Sequence, residues 1–176
     1  GDGPDAGAAM VAHPGVKAIS FTGSTRAGKE IAAVAAPAFK KLSLELGGKN
    51  PVVIFDDCRY EHMLNETVRS AFSNQGQICL CGSRIYVQDT IYERFKGDFV
   101  ARVRQLTVGD PKEVETKIGA VVSKQHLQKI LYYLRVAEEE GGRMLCGGKQ
   151  IFPQGRCAEG YFVEPAIIEG LANHCR

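Results

Sequence analysis

A thiol in a polar loop and a carboxylate at a strand end, Cys79 and Glu45, are two side chains of this 176-residue chain whose types and settings could do chemistry. Cys79 lies in Asn74-Gln75-Gly76-Gln77-Ile78-Cys79-Leu80-Cys81, a polar run broken by a glycine. An apolar helical pattern of Leu64, Val68, Ala71 and Phe72 precedes it, and Ser83 to Val87 follows as a strand. The thiol therefore falls at a helix-strand junction, near backbone N–H groups that favour the nucleophilic thiolate. Against this, free cysteine is among the most buried residue types, and a cysteine without a nearby histidine is a thin signal by itself. Glu45 supplies the second component. It closes the alternation Leu42-Ser43-Leu44 at a strand end, and Gly47-Gly48 follows, where glycine permits close backbone approach or positive φ. A carboxylate in that place can act as a general base or simply sit in water.

A third stretch, Phe21-Thr22-Gly23-Ser24-Thr25-Arg26-Ala27-Gly28, follows a strand and opens a helix. A helix N-terminus with free N–H groups favours phosphate. By itself such a turn is more often a plain N-cap with Ser or Thr in the capping role. Together, Glu45-Leu46-Gly47-Gly48-Lys49, Asn74 to Cys79 and Phe21 to Gly28 resemble the aldehyde dehydrogenase family in order and separation, along essentially the whole chain. Lys41 to Pro51 and Ile78 to Arg84 look most like the muconic semialdehyde dehydrogenases within it, a subgroup with 2-hydroxymuconic and 2-aminomuconic members.

The resemblance implies Cys79 as catalytic thiol and Glu45 as general base. It implies NAD as cofactor, with NADP left open, held around Thr22, Gly23, Ser24, Thr25, Gly28 and Leu46. The expected reaction is oxidation of an aldehyde to the carboxylic acid. Thiolate addition gives an alkoxide that can expel hydride, and Glu45 then activates water against the thioester. The Cys79 N–H is one donor to the alkoxide, and the family's second is an asparagine expected upstream of Gly1. Lys49 and Asn50 are expected to support the backbone turn beside Glu45. Cys81 is read as a spare thiol, since two residues apart is poor geometry for a disulfide with Cys79. Gly1, Gly3 and Gly7 superficially suggest a dinucleotide fingerprint, but no strand precedes them, so they read as turn glycines.

Bulk properties narrow the classes. A net charge of +2 gives no reason to expect nucleic acid or an anionic membrane as partner. No apolar run reaches the ~20 residues needed to span a bilayer, and Gly1-Asp2-Gly3-Pro4-Asp5 lacks the features of a signal peptide. Six irregularly spaced cysteines in a core-rich chain fit reduced thiols and a cytoplasmic setting. His13, His62, His126 and His174 are scattered and show no metal-ligand spacing with the cysteines, so no metal site is expected.

The elements that must position these residues follow from periodicity and punctuation. Helices are predicted at 6–12, 25–36, 61–72 and 123–139, with Pro4 early in the first. Strands are predicted at 17–21, 41–46, 51–55, 84–87 and 143–146, with a closing strand region at 161–168 interrupted by Pro165. Pro51 to Phe55 is a continuous apolar run, as in a strand covered on both faces. Thr22 to Ser24 reads as a turn, and 149–160 as a loop. Thr90 and Glu93 have capping-box spacing, ahead of a core stripe of Ile91, Phe95, Phe99, Val103 and Leu106. The run Glu138-Glu139-Glu140 reads as a solvated face.

Strands alternating with helices imply an α/β fold with parallel strands and crossover connections, and ligands beyond their carboxyl ends. Under the resemblance, residues 1–46 end a Rossmann-like cofactor domain and 47–176 begin an α/β catalytic domain. The site is expected at a cleft between them, with the break near Gly47-Gly48. Family members are longer, so the chain reads as a central fragment, expected to turn over negligibly alone. The full-length protein is expected to be a homodimer or homotetramer acting on a small aldehyde. Two other readings stay open: a scaffold or binding module that has lost catalysis, and a cofactor-free thiol hydrolase or acyltransferase using Cys79 and Glu45.

Overall fold

A computed structural model describes residues 2–176 and shows an α/β fold in two compact units that part between Gly48 and Lys49. In the first unit a π-helical turn, Gly3–Gly7, leads into helix α1, Ala8–Ala12. Pro4 sits at its start, where a missing N–H costs no helical bond. The chain leaves α1 at His13, whose ring Nδ1 accepts the Gly15 N–H at 3.0 Å. Lys40 donates its ammonium to the carbonyls of Val11 and His13, so the helix end is satisfied.

Strands β1, Ala18–Gly23, and β2, Lys41–Leu46, pair in parallel with helix α2, Thr25–Ala35, between them. The register sets Thr22 beside Glu45 and Gly23 beside Leu46. Thr22 and Gly23 therefore belong to the strand and not to the predicted turn. The ladder to Glu45 and Leu46 keeps them extended, and only Ser24 remains as the junction.

In the second unit β3, Asn50–Ile54, pairs in parallel with β4, Gly82–Val87. Helix α3, Tyr60–Phe72, and the cysteine loop connect them, and α4, Asp89–Val103, follows. The predicted stripes meet here: Ile54, Leu64, Phe95, Phe99 and Val103 form a buried cluster, with Phe72, Val68, Ile85, Val87 and Leu106 packed against it. The Phe95 and Phe99 rings stack at 5.1 Å. Each such side chain fully buried contributes about 1.5–3 kcal/mol. Thr67, the buried polar residue of α3, donates its hydroxyl to the Met63 carbonyl at 2.8 Å.

Two expectations fail at β3 and α4. Strand β3 is not covered on both faces: Ile54 is 4% exposed, but Val53 is 59% and Phe55 61% exposed. Its residues alternate as in a half-buried strand, because the helical cover lies on the Ile54 side. The capping box also does not form. Helix α4 begins two residues early, at Asp89 with Gln88 as its N-cap, and Thr90 donates its hydroxyl to Asp56 at 2.7 Å. Glu93 instead pairs with Lys96 at 2.8 Å.

Helix α5, Lys124–Glu139, is capped by Ser123, whose hydroxyl accepts the His126 N–H at 3.1 Å. The strands after it are antiparallel, against the parallel expectation. β5, Arg143–Cys146, pairs with β8, Ile167–Glu169, and β6, Gln150–Ile151, pairs with β7, Phe162–Val163. No α-helix lies between β5 and β8 to carry a crossover, so the chain returns in the opposite sense. β6 falls inside the predicted loop. Glu140 is not simply solvated, since it accepts from the Arg176 guanidinium and, at 2.9 Å, its N–H.

Gly82, first residue of β4, is fixed by space. A Cβ there would stand 2.3 Å from Val52 Cγ2 and 3.0 Å from Ser70 Oγ. Gly82→Ala is expected to lower stability by about 1–3 kcal/mol through overpacking. The shift of the denaturant midpoint measures it, and an unchanged midpoint contradicts the tight fit.

Candidate active site

Helix α3 delivers the cysteine loop, and its last turn is where the backbone departs from helix. Ser73–Gly76 is a tight turn in which Asn74, Gln75 and Gly76 take φ of 49°, 57° and 71°. Glycine adopts this left-handed region freely and asparagine often, but glutamine pays about 1–2 kcal/mol for it. Such strain persists where neighbours hold the segment, and it concentrates at functional loops. The neighbours are visible. The Gln77 side-chain oxygen accepts the Val122 N–H at 3.0 Å. With its amide turned so that oxygen faces the Gly119 N–H, Gln75 accepts there at 2.9 Å. Two amide side chains thus fasten the loop to the 119–122 segment.

A turn follows, closed by the Cys81 N–H on the Ile78 carbonyl at 3.0 Å. It separates the two thiols by exposure. Cys79 is exposed, whereas Cys81 is buried with its sulfur 3.8 Å from the Ser73 carbonyl. Among the described residues the Cys79 N–H meets no acceptor. Elsewhere Cys146 is packed against the core, and burial pushes its thiol pKa up, which disfavours the thiolate. A cleft of about 370 Å³ between β3 and α3 is lined by Val52, Ile54, Cys58, Met63 and Thr67, not by Cys79.

Asn50 corrects an expectation. Its side-chain Nδ2 donates to the Cys79 carbonyl at 2.6 Å and to the Cys81 carbonyl at 3.2 Å. It braces the cysteine loop and not the turn beside Glu45. Parallel pairing puts Asn50 beside Gly82, the first residues of β3 and β4, so the amide stands next to the loop that enters β4. Lys49 contributes its carbonyl, which accepts from Arg84 Nε at 3.0 Å.

In the first unit Glu45 is exposed, one residue before the end of β2. Ser24 caps α2, its hydroxyl oxygen accepting the Ala27 N–H at 3.2 Å. The hydroxyl hydrogen is then free to donate, and the Thr25 and Arg26 N–H groups stand too early in the helix to have an intrahelical acceptor. No acidic residue occupies the first turn. Gly28 is buried under Leu46, and a Cβ there would lie 2.8 Å from Leu46 Cδ2. Thr22, Gly23, Ser24, Thr25, Gly28 and Leu46 are thus gathered at one end of the β1–β2 pair. A helix terminus with a free hydroxyl and no carboxylate suits a phosphate.

Comparison with known proteins decides the family. The aldehyde dehydrogenase family profile matches residues 1–176. The chain belongs to the aldehyde dehydrogenase family. The 2-aminomuconic semialdehyde dehydrogenase of Mus musculus is 47% identical over 178 residues, covering 100% of this chain and 37% of that protein. Among solved structures, HpcC from Thermus thermophilus superposes with a TM-score of 0.93 at 38% identity, over 100% of this chain and 35% of that one. A betaine aldehyde dehydrogenase from Staphylococcus aureus, in complex with NAD+ and with a BME-modified cysteine, gives 0.89 at 37% identity, over 96% of this chain and 34% of that one. The chain thus spans little more than a third of the relatives' length. Among the described residues no group of three or more His, Cys, Asp or Glu lies close enough to hold a metal ion, and no helix is long and apolar enough to cross a membrane.

Proposed function

We propose that the protein oxidises an aldehyde, of the muconic semialdehyde type, to the carboxylic acid. Cys79 is the nucleophile, Glu45 the general base and NAD the hydride acceptor. The exposed Cys79 thiol on a strained, braced loop with a free N–H is the observation that carries this reading.

The Cys79 thiolate adds to the aldehyde carbon, forming a carbon–sulfur bond and an alkoxide. The Cys79 N–H donates to that oxygen, and a missing donor of this kind costs roughly 3 kcal/mol in the barrier. NAD, when bound, would supply the acceptor for the hydride and its electron pair. Cys79 is left as a thioester. Glu45 takes a proton from water, the hydroxide attacks the thioester carbon, and the carbon–sulfur bond breaks to release the acid and the thiolate. Ser24 and the first N–H groups of α2 would hold the cofactor's phosphates, with Thr22, Gly23, Gly28 and Leu46 shaping their seat. NADP is a second candidate for the same turn.

In this reading residues 1–46 end the cofactor domain and 47–176 open the catalytic domain, and the protein works in a reducing cytoplasm as a homodimer or homotetramer. The S. aureus relative supports the chemistry, since it holds NAD+ and a modified cysteine. The test is NADH formation by the full-length protein that carries this sequence, given a muconic semialdehyde and NAD. NADH in step with acid supports the proposal; hydrolysis of an added thioester or ester with no NADH from the aldehyde would point to a cofactor-free thiol hydrolase.

A further inference from the structure

The Asn50 side chain is bonded to the backbone on the carboxyl side of Cys79, and this permits a sharper statement than bracing. The peptide unit before Cys79 contains the Ile78 carbonyl and the Cys79 N–H. That carbonyl accepts the Cys81 N–H at 3.0 Å. The peptide unit after Cys79 contains the Cys79 carbonyl, which accepts from Asn50 Nδ2 at 2.6 Å. The same nitrogen reaches the Cys81 carbonyl at 3.2 Å, so one amide spans the turn. Peptide units are rigid planes. Holding the plane on each side of a Cα fixes the direction of its Cβ and of its own N–H.

We infer that Asn50 is a positioning residue for the nucleophile: by pinning the Cys79 and Cys81 carbonyls it aims both the Cys79 sulfur and the Cys79 N–H. The inference rests on the proposed dehydrogenase reading for its consequence in catalysis, but its structural part stands on the loop alone. A bonded amide at the foot of β3 makes the aim a property of the sheet and not of a mobile loop. Asparagine suits the place because its NH₂ has two hydrogens for two carbonyls, while an aspartate of the same shape has none when ionised.

Two variants separate this from a packing role. Asn50→Asp keeps the shape and removes the donors; Asn50→Ala removes both. In the 176-residue chain, backbone hydrogen exchange across residues 78–82 is expected to rise about tenfold or more in either variant, with α4 and α5 unchanged. Unchanged exchange at 78–82 in Asn50→Asp overturns the inference, as does an equal rise through α4 and α5. In the full-length protein that carries this sequence, Asn50→Asp is expected to lower kcat about 10²-fold with KM within about twofold, as for a misaimed reacting group. An intact kcat with a raised KM overturns the positioning role. Cys79→Ser run alongside keeps the two ideas apart: if it stays active, the dehydrogenase reading fails, whatever Asn50 does to exchange.

Discussion

Cys79→Ser is expected to abolish aldehyde-dependent NADH formation in the full-length protein that carries this sequence, by a factor on the order of 10³ or more. A serine hydroxyl in the same place is not ionised near neutral pH and needs a base to take its proton before it can attack. Cys81 and Cys146 are poorly placed to substitute. Cys81 is 8% exposed and turned to the Ser73 carbonyl. Cys146 is partly buried in the core, where burial holds it protonated. The substitution changes one atom of an exposed residue and leaves the loop's bonds to Asn50, Gly119 and Val122 in place. Unfolding midpoints should therefore match the parent. A Cys79→Ser protein that kept its rate would remove the thiohemiacetal and thioester from the mechanism altogether.

Glu45→Gln is expected to leave the first turnover and slow those after it. The isosteric amide cannot accept a proton from water, so the thioester forms but is hydrolysed slowly. Such assistance is typically worth ~10²–10⁴-fold. Rapid mixing should show a burst of NADH near one equivalent per site, followed by a steady rate lower by about that factor. Glu45 is exposed and its backbone is held by the ladder to Thr22, so the fold should tolerate the change. Loss of the burst itself would put Glu45 in the first half-reaction, contrary to its assigned role.

The sequence made the long elements legible because each carries its own periodicity. Leu64, Phe95, Phe99 and Leu127 lie on stripes that read as helix faces, and all are buried. The parallel pairs β1–β2 and β3–β4 were legible from the helices between them. The antiparallel pairs were not: β6 and β7 are two residues each, too short for a period to show. The Thr90–Glu93 spacing misled because a local motif competes with tertiary partners, and Asp56 takes the Thr90 hydroxyl. The apolar run of β3 carries no mark of which face is covered. For the candidate site, Cys79, Glu45 and Ser24 stand out by type and motif. Asn50 does not, because its bond to the Cys79 carbonyl joins residues far apart in sequence and depends on the β3–β4 register. Gln75 and Gln77 were visible as part of a polar run, but their hold on Gly119 and Val122 appears only in three dimensions.

The most direct measurement is the mass of the Cys79 peptide in Glu45→Gln protein, quenched in acid soon after mixing with aldehyde and NAD. Sulfur attack at Cys79 with hydrolysis assisted by Glu45 requires that peptide to carry the acyl group, in amount equal to the NADH released. NADH produced with the Cys79 peptide unmodified, or the acyl group found on another cysteine, contradicts it.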